Sequence, residues 1–185
     1  VSAGVFGIRT GDRKNADGGH VVGMVATSNH ETQILTITKN GMGKRSRLGT
    51  ADRIPDLDSS GVQKLLKDGE PKFITDGYRR TRAGAKGVKT MKVDVEGGDS
   101  IVSVRQMPDL NDNLFLLTAK GMMIRVRAEQ TKETSGKKTK GTRVMELRDK
   151  EKGGFLDQII FSARLPAELI DEDDIPEDTV AGEEE

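Results

Sequence analysis

One order of short apolar runs, glycine turns and basic loops recurs along this chain, and that repeat limits its fold more than any other feature. The clearest unit begins Val88-Lys89-Thr90-Met91-Lys92-Val93, turns through Glu96-Gly97-Gly98-Asp99 and resumes as Ile101-Val102-Ser103-Val104. A polar break leads to Leu114-Phe115-Leu116-Leu117-Thr118, then Lys120-Gly121, then Met122-Met123-Ile124-Arg125-Val126-Arg127. It closes on the basic loop Gly136-Lys137-Lys138-Thr139-Lys140-Gly141. The preceding unit keeps the order: Val5-Phe6-Gly7-Ile8, Val21-Val22-Gly23-Met24-Val25, Ile34-Leu35-Thr36-Ile37-Thr38, Asn40-Gly41, Met42-Gly43-Lys44-Arg45-Ser46-Arg47 and the loop Tyr78 through Gly87. A third unit opens at Thr142-Arg143-Val144-Met145 and continues through Phe155-Leu156-Asp157-Gln158-Ile159-Ile160-Phe161.

The closing glycines Gly87 and Gly141 stand 54 residues apart, and the first unit is longer by 26 residues lying roughly within 51–77. Repeat insertions map to surface excursions, and a short amphipathic helix is predicted over 62–67, between Pro55 and Pro71. The resulting division is 1–87 with its insert, 88–141, a partial unit over 142–164, and an acidic disordered tail over 165–185.

Each unit holds about four apolar runs of four to six residues, rich in β-branched side chains and bounded by Gly, Asp or Asn. That is strand punctuation at hairpin spacing. Lys39-Asn40-Gly41-Met42 and Ala119-Lys120-Gly121-Met122 read as tight turns in which glycine supplies a positive φ. The predicted fold is all-β, a propeller-like array of four-stranded blades with about two full blades and part of a third. Composition agrees: 34% hydrophobic and 3% aromatic residues with no Trp suit small stacked sheets better than one thick core. No apolar run approaches the length of a membrane span, and without cysteine there is neither a disulfide framework nor a cysteine zinc site. A cytoplasmic setting is expected, and Val1 in place of Met points to a fragment of something longer.

Charge is balanced at 30 basic and 30 acidic residues, but it is segregated. From Leu165 onward there are ten acidic residues and no Lys or Arg, which leaves the rest of the chain at +10. A basic body with an acidic tail suits a polyanionic partner. The positive charge collects at two recurring places. One is the strand after the hairpin glycine, with Lys44, Arg45 and Arg47, then Arg125 and Arg127; the other is the closing loop, with Arg79, Arg80, Arg82 and Lys86, then Lys137, Lys138 and Lys140. In Met123-Ile124-Arg125-Val126-Arg127, alternation sets both arginines on one face. Phosphates call for guanidinium or ammonium donors and for glycine where backbone approaches closely. Recurrence at matched places predicts an outward-facing track, whereas charge on an edge strand also serves simply to deter edge-to-edge pairing. With few aromatics, most of them in strand runs, stacking of single strands is disfavoured. The expected partner is duplex DNA, contacted through its backbone.

Ile34 to Arg47, the loop Tyr78 to Gly87 and Leu114 to Arg127 resemble successive blades in the family of DNA gyrase C-terminal domains, those of the gyrase A subunit; Thr139-Lys140-Gly141-Thr142-Arg143 resembles its blade junction. The resemblance implies a β-pinwheel whose basic rim wraps duplex DNA and directs ATP-driven negative supercoiling. It also implies partners, namely the N-terminal cleavage domain of the parent subunit, together with the gyrase ATPase subunit. No cofactor is expected in this chain; ATP and Mg belong to other domains or subunits, and so does the DNA-cleaving tyrosine. Arg80-Thr81-Arg82-Ala83-Gly84-Ala85-Lys86-Gly87 matches the family's box, Gln-Arg-Arg-Gly-Gly-Lys-Gly, only loosely. The alternatives are the equivalent domain of topoisomerase IV, which decatenates, and a propeller-like protein-interaction scaffold. No catalytic constellation is visible: Tyr78 reads as strand-end packing, His20 and His30 lack metal-ligand spacing, and Asp171-Glu172-Asp173-Asp174 lacks the glycine and closing glutamate of a calcium loop. The tail from Asp171 onward is expected to fold back on the basic rim and compete with DNA.

Overall fold

A computed structural model describes residues 4–10, 19–134, 139–148 and 157–169. Among them the chain is all-β, with nine strands, two short 3-10 turns (Ala128–Gln130 and Ala167–Leu169) and no α-helix. The strands are β1 (Gln33–Thr38), β2 (Met42–Arg47), β3 (Arg53–Pro55), β4 (Phe73–Thr75), β5 (Ile101–Met107), β6 (Asn113–Thr118), β7 (Met123–Arg127), β8 (Thr142–Arg143) and β9 (Ile159–Leu165). They form a four-stranded sheet in the order β5-β1-β2-β8, a three-stranded sheet in the order β7-β6-β9, and a two-stranded ladder, β3-β4, inside the insert. Every strand pair is antiparallel.

The two main sheets are built by one device used twice. Gly41 and Gly121 adopt φ of 86° and 84°, which an L side chain resists. Their N–H groups donate to the Thr38 and Thr118 carbonyls at 3.1 and 3.0 Å. The hydroxyls of those threonines accept from Met42 N at 3.3 Å and Met122 N at 3.1 Å. An aspartate from the next unit then caps each turn. Asp99 accepts the N–H groups of Asn40 and Ser100, and Asp157 those of Lys120 and Gln158. Burial pushes the Asp157 carboxyl up, but hydrogen bonds from Thr118, Gln158 and Lys120 outweigh it and hold the group below its usual range. The register slips at matching places, between Ile37 and Thr38 in one sheet and between Leu117 and Thr118 in the other.

The core joins Leu35, Ile37, Met107, Leu114, Leu116, Ala128, Leu147 and Ile159. β5 meets β9 through the Ser103 and Ser162 hydroxyls, 2.6 Å apart, and through Arg105, whose Nε donates to the Ser162 carbonyl at 3.1 Å. Each fully buried aliphatic side chain contributes roughly 1.5–3 kcal/mol.

The units are periods of the sequence and not separately closed sheets. Each sheet takes its hairpin from one unit and borrows strands from later ones: β5 joins β1, β9 joins β6, and β8 of the third unit covers β2. This accounts for three predicted strands that do not form, at 5–8, 21–25 and 88–93. Residues 21–41 align without a gap on 101–121, so 21–27 stands where β5 stands. Val88-Lys89, after Gly87, likewise stands where β8 does after Gly141. β5 and β8 pair with an earlier hairpin, and among the described residues none precedes β1–β2. A strand without a partner leaves its backbone to water, and Val21 and Met24 are 62% and 86% exposed. Ile8 finds a single bridge, to Ala85.

The insert is a correction too, because 62–67 is not helical. Three extended legs meet in a ring: Lys64 N donates to Asp56 O, Asp56 N to Lys72 O, and Lys72 N to Lys64 O, at 2.8, 3.0 and 2.8 Å. The Asp56 carboxylate closes the ring by accepting Lys64 Nζ at 3.0 Å and Lys72 Nζ at 2.6 Å. The Lys72 bond, then that of Lys64, draws this carboxyl below its usual range. Six residues are too few for an isolated helix. Asp58 instead accepts the N–H groups of Ser60 and Val62, and Asp68 that of Glu70, which makes turns on both sides. The acidic end begins inside β9 and the 3-10 turn Ala167–Leu169; residues 170–185 lie outside the described ones.

Candidate nucleic-acid interface

The predicted outward face of β2 is the main correction. Lys44 is 1% exposed and Arg45 6%. They are buried because β2 is not an edge: β8 pairs with its start, and residues 132–134 run beside Arg45, with Arg45 N donating to Lys132 O at 3.3 Å and Thr134 N to Arg45 O at 3.0 Å. The Arg45 guanidinium donates to the Thr131 carbonyl, to Gln33 Oε1 and, at 3.5 Å, to the Glu129 carbonyl. Lys44 Nζ donates to the Thr90 carbonyl at 2.6 Å. Burial lowers the pKa of both, opposed at Arg45 by Glu133 and Glu129. These two cations fasten loops to β2 and present nothing to a phosphate. Arg47 emerges at the end of the strand, its Nε 3.6 Å from Asp76.

The loop residues face outward. Arg79, Arg80, Arg82 and Lys86 are exposed, on a loop fixed by Tyr78 N to Leu48 O at 2.9 Å and Gly84 N to Gly7 O at 3.0 Å. The Tyr78 hydroxyl bonds to Thr90 Oγ1, a packing role. No ion pair involves Arg79, Arg80 or Arg82 among the described residues. Lys140 is exposed, and Lys137 and Lys138 lie outside the described residues. Arg125 and Arg127 are exposed on β7, with Met123 on the same face, and Arg127 lies 3.5 Å from Glu129.

Tertiary structure brings the segment that follows the first closing loop against the second closing loop. Lys92 N donates to Thr139 O at 2.9 Å, and Lys44 reaches Thr90 from beneath. Lys89, Lys92 and Lys140 therefore lie over the outer side of β2, with Lys86 preceding them along the chain, while Arg125 and Arg127 sit on the edge of the other sheet. Lys89 and Lys92, both exposed, are additions to the sequence reading. The available signal was the repeat: Lys89 follows Gly87 as Arg143 follows Gly141. Among the described residues no group of three or more His, Cys, Asp or Glu could hold a metal ion, and no helix is long and apolar enough to cross a membrane.

Comparison with known proteins fits this geometry. The family model described as DNA gyrase C-terminal domain, beta-propeller, matches residues 32–63, 75–106 and 112–152, more than half of the chain. The gyrase A protein of Campylobacter fetus is 32% identical over 178 residues, covering 96% of this chain and 16% of that relative. The gyrase A protein of Helicobacter pylori strain J99 is 30% identical over 150 residues, covering 81% of this chain and 14% of its own. A solved structure of a DNA gyrase A C-terminal domain aligns with 75% of this chain and 67% of its own at 15% identity, with a TM-score of 0.39. This chain thus spans about a seventh of the length of the curated relatives. By the extent of the family match and the identity along nearly its whole length, the chain belongs to the DNA gyrase C-terminal domain family of β-propellers.

Proposed function

We propose that this domain binds duplex DNA along its basic loops and bends it, as the wrapping part of a gyrase A subunit. The observation that carries the reading is the exposed cluster Arg79, Arg80 and Arg82, free of ion pairs among the described residues and continued along the chain by Lys86, Lys89 and Lys92, the last of which meets the second closing loop beside Lys140. A strip of donors set on glycine-bearing loops suits phosphates, which position a protein on DNA without reading its sequence. Strand cleavage, ATP hydrolysis and the Mg that accompanies it fall to the cleavage domain and the ATPase subunit of the parent enzyme, in the cytoplasm. The domain's contribution is to set the path of the DNA, and so the direction in which the parent enzyme supercoils.

Replacing Arg79, Arg80 and Arg82 together with Ala tests this. Affinity should fall for every duplex sequence, and the slope of log affinity against log salt should flatten by up to about 2.7, or about 0.9 for each phosphate no longer neutralised. Unchanged binding, or a loss confined to particular sequences, would overturn the reading.

A further inference from the structure

The insert is the one part of the chain that the repeat does not explain, and it overhangs the outer side of β2. Between them lies a cleft of about 890 Å³. Resting on the DNA-binding reading above, we propose that this cleft grips the sugar-phosphate backbone of one strand of the bound duplex, so that the first unit holds DNA from two sides.

The cleft is held open by a stiff neck. Gly49 and Gly77 pass so closely that a Cβ on Gly77 would overlap the Leu48 carbonyl. Asp76 takes the Thr50 N–H at 2.8 Å and hydroxyl at 3.2 Å, with Arg47 beside it. The Thr50 bonds, with Arg47, keep the Asp76 carboxyl below its usual range despite partial burial. Ile54 and Ile74, paired across β3 and β4, give one wall an apolar surface, 36% and 45% exposed. Lys89 and Thr90 stand among the other lining residues, and Ser46 of β2 is there too.

The positive charge of the cleft is not all spent on its own carboxylates. Its three carboxylates are already engaged: Asp56 by Lys64 and Lys72, Asp76 by Thr50 and Arg47, and Glu133 by Gln33 Nε2 at 2.6 Å. Facing a ligand are the exposed Lys89 ammonium and the outer nitrogens of Arg47. Donors opposite an apolar wall match a phosphate flanked by deoxyribose.

The test uses the full chain and a duplex of mixed sequence, roughly 60 base pairs long so that its charge far exceeds the handful of phosphates bound. Lys89→Glu and Ile74→Asp alter exposed side chains; a third variant replaces 53–75 with Gly-Gly across the neck, where Asp76 N already donates to Asp52 O at 2.9 Å. Each should raise Kd about tenfold and flatten the salt slope by about one. Combining Lys89→Glu with the insert replacement should add little, because both act on one cleft. Wild-type Kd and slope for Ile74→Asp and the insert replacement, with the Arg79/Arg80/Arg82 variant still defective, would overturn the cleft and leave the DNA reading standing. A loss seen with Lys89→Glu alone would overturn it too, because that would place Lys89 on open surface. If the triple variant also binds normally, the DNA reading falls as well.

Discussion

Hairpin β1–β2 carries Met42-Gly43-Lys44-Arg45-Ser46-Arg47 where hairpin β6–β7 carries Met122-Met123-Ile124-Arg125-Val126-Arg127. Turn, threonine, capping aspartate and register slip correspond one to one. Yet Arg45 is 6% exposed and locked to the Thr131 and Glu129 carbonyls, whereas Arg125 points to solvent. The difference lies in what covers the strand. Residues 132–134 and β8 lie along β2, and no counterpart lies along β7 among the described residues. Gly43 belongs to the covered arrangement: a Cβ there would come within 2.6 Å of Val144 Cγ1. β7 has Met123 at that position, 60% exposed. One sequence position thus yields a structural fastener in one sheet and a candidate DNA contact in the other.

The sharpest way to break this contrast is to remove both arginines separately. Arg45→Ala should destabilise the fold by about 2–4 kcal/mol, since it leaves buried carbonyls unpaired and a void behind. Arg125→Ala should stay within about 0.5 kcal/mol; chemical denaturation compares the two, and equal losses would contradict the assignment of β2 as covered. Grafting the β7 residue onto β2, Gly43→Met, should cost about 1–3 kcal/mol by overpacking against Val144. The reverse change, Met123→Gly, should cost only the roughly 0.5–1 kcal/mol of glycine in a strand.

The shared turn device should show the opposite pattern, with similar behaviour in both sheets. Asp99→Ala should cost about 1–2 kcal/mol by freeing two N–H groups, and Asp157→Ala should lower Tm in the same direction. The smallest effect separates the insert from both hairpins. The folded Asp56 carboxyl lies below its unfolded value, so the stability it contributes is present above the ordinary carboxylate pKa of about 3.8 and is lost as pH falls through the folded pKa. The protection factors of the Lys64 and Lys72 amides, taken against the intrinsic exchange rate at each pH, should therefore fall on acidification below about pH 4 before those of β1 or β6. A uniform fall across all three would show that the ion triad does not hold the insert.

The repeat, the hairpin turns, the all-β class and the site of the insert follow from the sequence alone, because each is a local matter of apolar alternation, glycine φ and turn residues within a few positions. So is the exposure of Arg79, Arg80 and Arg82, which stand in a polar loop between glycines. Only the tertiary structure decided that Lys44 and Arg45 are buried, that 21–27 and 88–93 join no sheet, and that Lys92 meets the loop carrying Lys140. Those outcomes depend on partners far along the chain: Gly43 is paired with Thr142, and Arg45 is bonded to Thr131 and Lys132. Local pattern states that a strand can form and which side chains share a face. Whether that face meets water, another strand or DNA is settled by the long-range segment that covers it.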